Sequence, residues 1–119
     1  MERPQYNHEI INELYEYGWT LHKANVLPTI LALPRQTLIE DLTKVIEDGI
    51  DNFSEYERLI EEEETLTWEN LTFVRHAIYI LAEIEATEAK AIIEKLLLQP
   101  ENVTIFLQKS LIRKICQRA

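Results

Sequence analysis

Val74–Thr104 reads VRHAIYILAEIEATEAKAIIEKLLLQPENVT and decides the fold. Val74, Ile78 and Leu81 recur at helical spacing on one side of a first helix. Phe73, Ala77, Ile80 and Ile84 do so on the other. A helix apolar on two sides must be covered on both, which makes it the expected central element of the domain. After a short break Thr87 is placed to cap a second helix with a narrower stripe, Ala89, Ile92, Ile93, Leu96 and Leu97. Pro100 breaks the chain again. A last helix, from about Glu101 or Asn102 to Cys116, carries Leu107, Leu111, Ile112 and Ile115.

Working back from this stretch, Thr67 is the expected cap of the central helix, with Leu66 and Leu71 at the positions of a hydrophobic staple. Ser54-Glu55-Tyr56-Glu57 has the form of a capping box at the start of a short helix through Leu59 and Ile60. Pro34 suits the first turn of a helix running to about Asp51. Its Leu38, Leu42, Val45 and Ile46 share one face, the acids take the other, and Gly49 marks a fraying end. Val26–Pro34 reads as an apolar connector on the core or as a turn of helix beginning at Pro28. Asn7 is placed to cap a first helix bearing Ile10, Leu14, Tyr17 and Leu21.

The Val74-Arg75 pair recurs in register as Val103-Thr104, 29 residues on. The hairpin, its Val-Arg start and the Gln99-Pro100-Glu101-Asn102 break resemble a HEAT-like repeat of the phycobilisome-lyase type. Taken with Leu33-Pro34-Arg35-Gln36, they also resemble an uncharacterised bacterial family with helical repeats. Length and composition fit a single all-α domain over residues 1–119, and the resemblance, which covers roughly residues 33–116, implies antiparallel hairpins stacked as a short HEAT-like right-handed α-solenoid, an α-α superhelix. Residues 1–33 form a cap, and residues 34–119 form the helix pairs. Such hairpins bury their faces only by stacking. Some members of that family carry a cysteine-rich metal motif, for which this chain lacks the cysteines.

Composition agrees with a helical reading, since 2 Gly and 4 Pro in 119 residues leave little for turn-rich sheets. No apolar run approaches the roughly 20 residues that span a bilayer, and the acidic, polar start is unlike a signal peptide. The expected location is the cytoplasm, with no membrane partner. Cys116 is alone and in register with Ile112 and Ile115, as a packed thiol would be.

Between Glu40 and Glu64 stand eleven acids and two bases, so this stretch carries the whole net charge of −9. The last eleven residues hold Lys109, Arg113, Lys114 and Arg118 and no acid. An acidic centre repels phosphates, and four bases at one end are too small a footprint for nucleic acid, which is therefore not an expected partner.

His8-Glu9-Ile10-Ile11-Asn12 lacks the second histidine of a zinc helix, and His22 and His76 have no acid or cysteine at ligand spacing. No metal or cofactor is expected. Ser54 is taken by its capping role, Ser110 has no histidine near it in sequence, and no glycine-rich turn cradles a phosphate. What remains is a set of ligand or partner candidates. Arg75, His76, Tyr79 and Glu83 lie at helical spacing on the central helix. The resemblance implies that Arg75 pairs with an acid of a neighbouring repeat; the alternative is a ligand-facing arginine on the concave surface. Tyr15 and Trp19 belong to an aromatic group with Tyr6 and Tyr17. Such residues fill cores and interfaces alike, and Tyr15 falls off the apolar stripe, as an exposed residue would.

These readings lead to a non-enzymatic helical-repeat protein that binds another protein or its own copies. The alternative is an enzyme or small-ligand protein with a concave-face site around Arg75 and His76.

Overall fold

The structure is a computed structural model that describes residues 4–16, 26–66 and 71–100. Among these residues every regular element is helical. A seven-residue 3-10 helix, Glu9–Tyr15, follows an extended approach through His8. Then come α1 (Val26–Leu31), α2 (Arg35–Asp51), α3 (Phe53–Glu61), α4 (Phe73–Glu83), a 3-10 turn (Thr87–Ala89) and α5 (Lys90–Leu97).

α2 is the hub. It packs most extensively on α4 and also meets α3, α5 and the turn before α5. The apolar stripe read from the sequence faces α4: Leu38, Leu42, Val45 and Ile46 are all but inaccessible. Gly49, expected at a fraying end, is instead a packing residue. A Cβ there would stand 2.3 Å from Val74 Cγ2, so the missing side chain is what lets α4 approach.

α4 is buried on both sides as its pattern predicts, with Phe73, Val74, Ala77, Ile78, Ile80 and Leu81 in the core. Its principal partner is α2 rather than α5, the helix that follows it. The helix ends in a Schellman turn: Ala86 N–H donates to Leu81 O at 3.0 Å and Glu85 N–H to Ala82 O at 3.1 Å. Glu85 takes the left-handed position at φ 52°, where glycine is the usual residue. Arg35, in the first turn of α2, clasps this turn. It donates to Ile84 O at 2.7 Å and Glu85 O at 3.1 Å, and both its Nε and one terminal nitrogen bond the Glu88 carboxylate at 2.8 Å.

Four helix starts differ from the sequence reading. Asn7 does not cap the first helix; the residue flanking that helix is His8, and the Asn7 amide reaches across to Glu40 at 3.1 Å. α3 begins at Phe53 with Asn52 flanking it, two residues sooner than a cap at Ser54 would allow, and this start buries both Phe53 and Tyr56. Ser54 is thus inside the helix and no capping box forms. Thr87 opens a 3-10 turn rather than capping α5, which starts at Lys90 after Ala89. Residues 26–31 are helical, with Pro28 in the first turn, where its missing N–H is one of the groups that have no intrahelical partner. The cap expected at Thr67 and the helix expected over 101–116 fall outside the described residues.

Candidate functional site

The acids of α2, Glu40, Asp41, Glu47 and Asp48, are expected on a solvated side of the helix, away from its apolar stripe. Asp41 and Asp48 are instead fully buried. Thr37, Asp41, Lys44 and Asp48 follow one another at four-, three- and four-residue steps, which aligns them in one stripe along the helix. Residues 5–8 and the Tyr15 hydroxyl of this N-terminal arm meet that stripe, while the 3-10 helix Glu9–Tyr15 packs on α1 and α4.

Asp41 accepts two successive backbone N–H groups, from Asn7 at 2.8 Å and His8 at 2.9 Å. A carboxylate of α2 thereby fixes the extended backbone that leads into the 3-10 helix. The His8 ring Nε2 meets Thr37 Oγ1 at 2.7 Å, and Lys44 Nζ donates to Gln5 O at 3.2 Å. The near-match to a zinc helix is accounted for in the same way, because Asn12 donates to Glu9 O at 3.1 Å. Between these polar contacts Ile11 and Leu14 are sealed in the core. Burial of Ile11, Leu14 and the Tyr15 ring is worth roughly 5–9 kcal/mol at the usual value per large apolar side chain.

Asp48 anchors the far end. Its Oδ2 accepts from the Tyr15 hydroxyl at 2.8 Å and the Tyr56 hydroxyl at 2.7 Å, and its Oδ1 from Asn52 Nδ2 at 2.7 Å. Because the Tyr15 proton points to Asp48, Tyr6 is the donor in the short Tyr6–Tyr15 hydroxyl contact. A directed chain runs from half-buried Tyr6 through Tyr15 to Asp48. Phe73 lies between the rings of the two tyrosines that meet at Asp48. Its centroid is 4.3 Å from that of Tyr15, in a stacked arrangement, and 5.4 Å from that of Tyr56. The cluster therefore ties together the arm, α2, α3 and α4.

Burial first, then the Tyr6 hydrogen bond and the nearby Asp48 charge, push the Tyr15 phenol far above its usual range. A phenol held neutral and turned toward a buried carboxylate is a hydrogen-bond donor. It is unsuited to act as a base or nucleophile near neutral pH.

The candidates named from the sequence separate in space and environment. Tyr15 is buried rather than exposed, at 8% of its full accessibility. On α4, His76 is buried, Arg75 is half-buried, and Tyr79 and Glu83 face solvent. Burial lowers the Arg75 guanidinium pKa from its usual value. Trp19 lies outside the described residues. Asp41, Asp48, Asn52 and Tyr56 were not read as site residues. The available signal was the run of polar residues at 37, 41, 44 and 48, continued by 52 and 56 at four-residue steps.

The remaining acids are outside. Glu61, Glu62, Glu63 and Glu64 are exposed at the end of α3. The one base within this helix, Arg58, is bonded by Glu55 and by Glu63 at 2.7 Å, which raises its pKa. Among the described residues no group of three histidines, cysteines or acids stands ready to hold a metal ion, and no helix is long and apolar enough to cross a membrane. No protein-family model matches the chain, and neither a curated protein nor a solved structure matches it.

Proposed function

We propose that this chain is a non-catalytic helical module that binds other protein chains, its own copies included. The observation that carries the reading is the division of its acids. Asp41 and Asp48 are consumed inside by structural hydrogen bonds, whereas Glu61–Glu64 stand exposed at the end of α3 with Arg58 already engaged. Glu63 is the acid of this run that engages Arg58, which leaves Glu61, Glu62 and Glu64 to meet a basic segment. The bases at 109, 113, 114 and 118 make a second copy one chemically suitable partner. The short right-handed HEAT-like α-solenoid suggested by the spacing of residues 74–104 is kept as a proposed architecture, and it rests on that spacing alone.

Sedimentation across a concentration series, at low salt and at about 0.5 M where screening falls below 10 Å, tests the electrostatic contact. Association that weakens with salt is the expected result. A chain that stays monomeric at both salts and captures no basic partner overturns the reading.

A further inference from the structure

We draw no further inference here: the strongest candidate, the surface patch on α4 where Tyr79 and Glu83 face solvent beside half-buried Arg75, carries nothing, because nothing in the structure shows what covers it.

Discussion

Gly49 of α2 lies under Val74 of α4 so closely that a Cβ at position 49 would approach Val74 Cγ2 to 2.3 Å. The two helices bury one another at this point, and Phe73, the residue before Val74 in α4, carries the contact to the tyrosine cluster. Helix propensity alone favours alanine over glycine by about 1 kcal/mol. Packing reverses that preference here.

Gly49→Ala is therefore expected to destabilise the protein by about 1–3 kcal/mol, the usual cost of overpacking a rigid core. Val74→Ala, itself destabilising through a cavity, should relieve part of the clash. A denaturant-unfolding double-mutant cycle is the check, and additive effects would show that the contact does not govern the helix spacing.

Asp48 receives two phenols and an amide, so Asp48→Asn sets an N–H group against donors and costs about 1–3 kcal/mol for each donor left stranded. Tyr15→Phe, which keeps the stacking on Phe73, costs about 1–3 kcal/mol through loss of a bond to a charged group. The two substitutions should couple, because each removes the same bond.

The Tyr15 phenol also sets an alkaline limit. Its folded pKa lies above the ordinary value near 10, so its contribution is fully present below about pH 10. Above that the unfolded chain gives up the proton first, and stability falls toward the folded pKa. Stability measured from pH 9 upward should decline less steeply in Tyr15→Phe than in the parent.

Hydrogen bonds from Arg35, the largest cause, hold the Glu88 carboxyl at about 2, below its usual 4.5. A depressed acid stabilises the folded state above its unfolded pKa, so this contribution is present above about pH 4.5 and disappears as pH falls toward 2. Glu88→Gln should remove this acid's share of the pH dependence in that window, leaving that of Glu55, whose carboxyl the hydrogen bond from Arg58 also holds low. In Arg35→Ala, a nuclear magnetic resonance titration should find the Glu88 pKa moved back up, and an unmoved value would count against the clasp.

Glu85 occupies the left-handed end position of α4 at φ 52°, at a cost that glycine avoids. Glu85→Gly keeps the carbonyl that Arg35 bonds and is expected to stabilise by about 0.5–1 kcal/mol. Thermal unfolding would read this as a rise of a few degrees. A fall would mean that the glutamate side chain does more at this turn than the structure explains.

The legible parts of the fold were those that repeat along one helix. The apolar stripes of α2 and α5 and the two buried faces of α4 follow from residue spacing. Single-residue capping was less legible, because Ser54 and Thr87 have the right chemistry while Phe53, Tyr56 and Ala89 decide the start by being buried. The polar cluster was hidden for a different reason. Asp41 and Asp48 look like ordinary solvent-facing acids until a segment more than thirty residues away is laid over them; Tyr15 and Asp48 are 33 positions apart.

The amino-acid sequence by itself determined an all-helical chain with α4 apolar on both sides, because helical periodicity is a local property that neighbouring residues carry among themselves. Only the tertiary structure decided that α2 is the hub, that Gly49 is a contact and not an end, and that Tyr15, Asp48 and Tyr56 close on one another around Phe73. Those outcomes depend on which distant surface covers a polar face, and burial energy is set by the covering partner rather than by the spacing of the residues it covers.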